Sequence, residues 1–308
     1  MIGRRLLRPS TWIALALAAA LVTTVLFAAH LKAFALWVAR RHHGCSLAAC
    51  LEVPALERSH RQARQQIQNS LRLLRRDPDG FELWRTPSGL LWCPARRQSA
   101  FWLADMLAET RTDLYSLGPV RVRPGDIVLD CGANIGVFSR QALAAGASLV
   151  VAIEPGPASV ACLRRNLDPE IAARRVIVYP KGVWHREETL RLSTDENTSI
   201  GDSLTLPRGP SGIDVPLTPI DTLIRELALP RVDFIKMDIE GAEQEALMGA
   251  RQTLERLRPR LAISAYHKGD DTVRIPALVR TARPDYRMAV GPCLMEKHRL
   301  VSRILFFE

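Results

Sequence analysis

The chain lacks any CxxC pair, and its six cysteines (Cys45, Cys50, Cys93, Cys131, Cys162 and Cys293) are scattered without zinc-ligand spacing. That excludes a structural zinc module. The cysteines read as thiols, although Cys45 and Cys50 lie close enough to pair in an oxidising compartment. No internal repeat is present, so the chain is not a repeat array. Excess charge is missing from most of the sequence as well. Twelve Lys/Arg against Glu52 and Glu57 in residues 1–76 account for the whole net charge of +10, leaving residues 77–308 formally neutral. A nucleic-acid partner thereby loses its main support.

Hydrophobic residues make up 47% and charged residues 24% of 308, ordinary values for a folded protein. The length accommodates one large α/β domain with an appendage and falls short of two enzymatic domains.

Thr11 to Ala29 carries no charge and as a helix would cover about 28 Å, close to a bilayer's hydrocarbon thickness. Trp12 and Trp37 stand near its two ends, where interfacial aromatics belong. A cleaved signal peptide is the rival, with Arg4, Arg5 and Arg8 as its basic region and Ala33-Phe34-Ala35 as a cleavage site; a buried core helix is a third option. The apolar run exceeds a signal peptide's 7–15 residues, which favours an uncleaved membrane helix. The expected layout is a basic tail at 1–10, an anchor at 11–39, a basic juxtamembrane helix or linker at 40–79, and one domain at 80–308. That domain has a cap at 80–125 and a core at 126–308. Basic residues on both sides of the anchor leave its orientation open.

Ile67, Leu71 and Leu74 repeat as on one helix face, ended by the turn signal Asp77-Pro78-Asp79-Gly80. Strands at 81–84 and 90–93 and a helix near 100–110 should cap the main sheet. From Asp126 strands alternate with helices: strands at 126–130, 149–154, 176–179, 232–237 and 261–265, helices at 136–145, 157–167, 242–257 and 271–281. Such alternation predicts a parallel sheet of right-handed βαβ units. Strands near 286–290 and 303–307 should form an antiparallel edge, and 193–212, rich in Ser, Thr, Gly and Pro, a loop.

Ligands of such sheets bind beyond the strands' carboxyl ends, where strand order reverses. The first strand ends in Asp130-Cys131-Gly132-Ala133-Asn134-Ile135-Gly136. Gly132 permits a tight turn and a close ligand approach, and Gly136 opens a helix with free N–H groups. Glu154 ends the second strand, where an acid reaches the ribose hydroxyls of an adenosine. Asn134 stands at the middle glycine of G-x-G-x-x-G, which disfavours a nicotinamide oxidoreductase.

VLDCGANIGVFS (Val128–Ser139), AIEPGP (Ala152–Pro157), PIDTL (Pro219–Leu223), FIKMDIEGAEQEALMGA (Phe234–Ala250) and ISAYHK (Ile263–Lys268) resemble the FkbM-type methyltransferase family over about 150 residues in the expected order. Family versions with Glu two residues before the histidine differ from this chain, which has Ala265. The resemblance implies a Rossmann-like class I methyltransferase fold, S-adenosylmethionine as donor, and O-methylation of a sugar, glycan or polyketide-like molecule. It further implies that Gly132, Asn134 and Gly136 surround the donor's methionyl part and that Glu154 holds its ribose. Asp130 offers negative charge to the ammonium or sulfonium. A donor made in the cytosol would put the catalytic domain on the cytoplasmic side of a single-pass membrane protein.

Asp238 and Glu240 should project into the same crevice, to orient an acceptor hydroxyl, hold the donor's amino group or, least favoured, bind a cation; Glu240 also suits a helix cap. His267, ending the fifth strand, is a candidate general base, an acceptor-positioning residue or a structural histidine. The alternative from another class is a catalytically degenerate scaffold that recruits partners.

Overall fold

The computed structural model describes residues 27–39, 42–194, 202–206, 211–296 and 298–308, except for the side chains of 42 and 43. They form two units, one of the described residues up to Arg58 with Cys293–Val301, the other Ser59–Pro292 with Ser302–Glu308.

The larger unit is built on a seven-stranded sheet. Its strands include β4 (Ile127–Cys131), β5 (Leu149–Ile153), β6 (Val176–Tyr179), β9 (Phe234–Met237), β10 (Arg260–Ser264), β11 (Met288–Val290) and β12 (Ile304–Phe307), in the order β11-β12-β10-β9-β4-β5-β6. β10, β9, β4, β5 and β6 run parallel, and β12 runs antiparallel to both β10 and β11. The parallel strands are near-continuous apolar runs because both faces are covered. Side chains alternate accordingly: Leu129, Val151, Ile235 and Ile263 join one core, while Val128, Val150, Phe234 and Ala262 join the other. The chain adds strands outward from β4 to β6, then returns to β9 and β10 on the opposite side. Strand order therefore reverses between β4 and β9, and a crevice opens at their carboxyl ends.

The helix expected at 242–257 is two helices, Glu243–Met248 and Arg251–Arg256. At the break, a Cβ on Gly249 would stand 2.0 Å from the Trp184 carbonyl oxygen, so the backbone passes too closely for any other residue. Asp221 then caps the second helix, accepting from the backbone N–H of Gln252 at 2.9 Å and of Thr253 at 2.8 Å.

The segment before the sheet contributes strands β1 (Arg72–Arg76), β2 (Phe81–Thr86) and β3 (Gly89–Pro94), an antiparallel sheet, and the helix Ser99–Arg111. Ile67, Leu71, Leu91, Leu103 and Leu107 pack with Ile135 and Cys162. The Asn166 side chain ties β3 to the core, donating to the carbonyls of Trp92 and Ile135 at 2.9 Å each and accepting from the Trp92 N–H at 2.7 Å. The expected loop 193–212 is flanked by the antiparallel strands β7 (Glu188–Thr194) and β8 (Ser211–Thr218); residues 195–201 and 207–210 lie outside the described residues.

In the smaller unit, helix 27–38 precedes a short strand, His42–His43, paired in parallel with Leu300 and Val301. Two sequence expectations are corrected here. Among the described residues no helix is long and apolar enough to cross a membrane, so the N-terminal transmembrane helix and the single-pass, cytoplasm-facing membrane localisation built on it are withdrawn. Helix 27–38 covers about 18 Å and carries Lys32; residues 11–26 of the expected anchor lie outside the described residues. Cys45 and Cys293 are not thiols but a disulfide across 248 residues of sequence, a separation no local spacing signals. Cys50, Cys93, Cys131 and Cys162 are free and buried.

Candidate active site

The crevice is walled by Gly132, Asn134, Glu154, Lys236, Asp238 and Glu240, among others. Two tight backbones shape it. Gly132 adopts φ +78°, and a Cβ there would lie 1.9 Å from the Asp238 carbonyl oxygen, so β4 and β9 leave the sheet in contact. Asn134 (φ 47°) and Glu240 (φ 54°) are left-handed non-glycine residues, a conformation that accumulates at functional sites.

Glu154 crosses from β5 to the loop after β4. Its carboxylate accepts the N–H of Asn134 at 3.0 Å and of Gly156 at 2.8 Å. Burial pushes its pKa up to about 7 against the lowering effect of those two bonds. The turn leaving β4 and the acid closing β5 thus meet at one wall.

Asp238 faces the crevice and accepts the Tyr115 hydroxyl at 2.6 Å on Oδ2. Burial alone would raise its pKa, but Lys236, His267 and the Tyr115 bond hold it below the usual carboxylate range. His267 lies behind Asp238 and Glu240, with a side chain only 4% exposed. Its Nδ1 meets Glu243 Oε1 at 2.9 Å, and its Nε2 stands 3.6 Å from Asp238 Oδ1 and 3.5 Å from Glu240 Oε2. Burial would depress the imidazole pKa; Glu243, then Asp238 and Glu240, outweigh it and push it up to about 10.

The structure brings Gly132, Asn134, Glu154, Asp238 and Glu240 to one cavity and sets Asp130, Gly136 and His267 behind its wall. Asp130 is fully buried, accepts Ser139 Oγ at 2.7 Å and pairs with Lys236 Nζ at 3.2 Å. Gly136 (φ +92°) caps the helix Val137–Ala144, and a Cβ on it would lie 2.7 Å from Leu163 Cδ1.

Sequence reasoning missed Lys236, Glu243 and Tyr115. Lys236 interrupts an apolar strand, which was a legible signal; it also donates to the Gly132 carbonyl at 2.8 Å. Glu243 is fully buried and accepts the Ile239 N–H at 3.0 Å as well as binding His267. Tyr115 lies 123 residues from Asp238 and carried no signal.

Residues 130–288, just over half of the chain, match the Methyltransferase FkbM domain. The chain is 26% identical over 232 residues to the 31-O-demethyl-FK506 methyltransferase FkbM of Streptomyces tacrolimicus, covering 66% of this chain and 88% of that protein. It is 26% identical over 184 residues to methyltransferase sdnD of Sordaria araneosa, covering 49% of this chain and 71% of that one. The crystal structure of methyltransferase FkbM from Methylobacillus flagellatus KT superposes with a TM-score of 0.48 at 25% identity, over 68% of this chain and 54% of that chain. The chain belongs to the FkbM methyltransferase family.

Proposed function

We propose that the protein is an S-adenosylmethionine-dependent O-methyltransferase acting on a hydroxyl of a sugar, glycan or polyketide-like small molecule. The observation that carries this reading is the meeting of the Gly132–Asn134 turn with the Glu154 carboxylate at 3.0 Å, in the same crevice as Asp238. The similarity to an enzyme of 31-O-demethyl-FK506 supports a hydroxyl of a natural product as acceptor.

The residues present fit the donor. Glu154 is a buried carboxylate already oriented by two N–H groups, suited to ribose hydroxyls, and the turn around Gly132 and Asn134 would hold the methionyl end. S-adenosylmethionine, when bound, supplies an electrophilic methyl group on sulfur. The chain's own residues supply position. Asp238, held ionised by Lys236 and oriented by Tyr115, would accept a hydrogen bond from the acceptor hydroxyl and draw its proton away from the reacting oxygen. His267 and Glu243 hold that carboxylate from behind, and correct alignment of the oxygen contributes most of the rate.

Incubating the purified chain with methyl-labelled donor and candidate polyols should transfer label to oxygen, detected by mass spectrometry as a gain of one methyl. Asp238→Asn should lose turnover while retaining donor binding. Donor binding with no methyl gain on any hydroxyl compound, in wild type as in the variant, would favour the scaffold reading.

A further inference from the structure

The crevice floor holds an arrangement that methyl transfer alone does not require. Asp238, Glu240 and His267 each offer one ligand-type atom, and the three atoms lie within 4.8 Å of one another. His267 Nε2 and Asp238 Oδ1 are buried without a hydrogen-bond partner among the described residues. The two meet each other only at ion-pair range, too far apart for a hydrogen bond, so these buried polar atoms are less than fully satisfied by the protein alone. The Nε2 separations of 3.6 and 3.5 Å lie a little above those of ligands on one ion, which at about 2.1 Å from the centre stand about 3.0 Å apart at a right angle and about 3.4 Å apart at a tetrahedral angle.

The ring is also oriented as metal-ligating histidines are. Its other nitrogen is fixed at 2.9 Å by the fully buried Glu243 carboxylate, which is itself anchored by the Ile239 N–H at 3.0 Å. Both crevice-facing ligands are carboxylates that share a wall with Glu154 and Asn134. A cation held here would be closed on the His267 side and open toward the crevice.

We propose that Asp238, Glu240 and His267 form a divalent-cation site, with Glu243 orienting the imidazole, whose open side faces the crevice in which the acceptor hydroxyl would lie. The cation takes the place of the Nε2 proton. Two carboxylates and one imidazole suit a borderline divalent ion such as manganese, iron or zinc better than a thiophilic ion or the all-oxygen shell of magnesium. The identity of the acceptor rests on the methyltransferase reading above; the cation site does not.

The test uses the full chain, stripped with EDTA and titrated with Mn²⁺ while free Mn²⁺ is followed by electron paramagnetic resonance. One site per chain is expected, with spin-echo modulation from a single imidazole nitrogen in the bound form. Glu243→Gln should weaken binding by about 10- to 100-fold, and His267→Gln should remove the nitrogen signal, with circular dichroism confirming that each variant is folded. Absence of a stoichiometric site in the wild type, or bound Mn²⁺ without nitrogen coupling, overturns the proposal without recourse to any variant. Calorimetry with S-adenosylhomocysteine on the same samples separates the two ideas. Donor binding without a metal site sinks only this inference, whereas a metal site without donor binding sinks the methyltransferase reading and leaves the cation site standing.

Discussion

The Lys236 ammonium stands 3.2 Å from the Asp130 carboxylate, with side-chain exposures of 6% and 0%. The pair joins neighbouring strands of the sheet at the point where strand order reverses, and Lys236 also bonds to the Gly132 carbonyl at 2.8 Å. Asp130 thus holds the lysine that braces the turn, rather than facing the cavity.

Lys236→Met leaves that carboxylate buried with Ser139 as its remaining partner. Loss of one member of a buried pair costs about 3–5 kcal/mol. Urea denaturation should show a drop of that order, and the double variant Asp130→Asn with Lys236→Met should recover part of it. Strict additivity of the two single changes would count against the pair.

Gly132→Ala meets two obstacles, a left-handed φ of +78° and the Asp238 carbonyl 1.9 Å from the new Cβ. The conformation alone costs about 1–2 kcal/mol, and the contact forces β4 and β9 apart where they flank the crevice. Both stability and donor affinity should fall. A variant as stable as the wild type would show that this approach is not as tight as described.

Asp221→Ala tests a part of the fold remote from the chemistry. Three hydrogen bonds to Gln252 and Thr253 are lost, including one from the Thr253 hydroxyl at 2.6 Å. A helix cap of this kind contributes about 1–2 kcal/mol. Thermal unfolding should register that loss while donor affinity is unchanged.

Glu154 sets a pH dependence. Burial raises its pKa from 4.5 to about 7, so the folded state keeps this proton longer than the unfolded chain does. Its contribution to stability is complete below about pH 4.5 and is lost as pH rises through about 7. Ribose hydroxyls donate to the ionised carboxylate, so donor affinity should move the opposite way, strengthening up to about tenfold per pH unit below 7 and levelling above it. Calorimetric titration at pH 6, 7 and 8 reads this; a flat profile contradicts the assigned contact.

The sheet was legible because buried parallel strands such as Ile127–Cys131 and Leu149–Ile153 are near-continuous apolar runs, each followed by a helix, starting at Val137 and Pro157. Glu154 could be read from its distance after Gly132. The break at Gly249 could not, since it depends on Trp184 from a distant segment. The same holds for Tyr115 on Asp238, for Glu243 behind His267 and for the Cys45–Cys293 bond, all set by tertiary approach rather than local pattern. The apolar run near the N-terminus misled because hydropathy alone favoured a membrane span, while the described helix 27–38 is too short to make one.

The most direct test is calorimetric titration of the full chain with S-adenosylhomocysteine at pH 8. One site per chain is predicted, weakened at least tenfold (about 1.4 kcal/mol) by Glu154→Ala and unchanged by Tyr115→Phe. A folded wild-type chain that binds none, or a Glu154→Ala chain that binds as tightly as the wild type, would contradict the account.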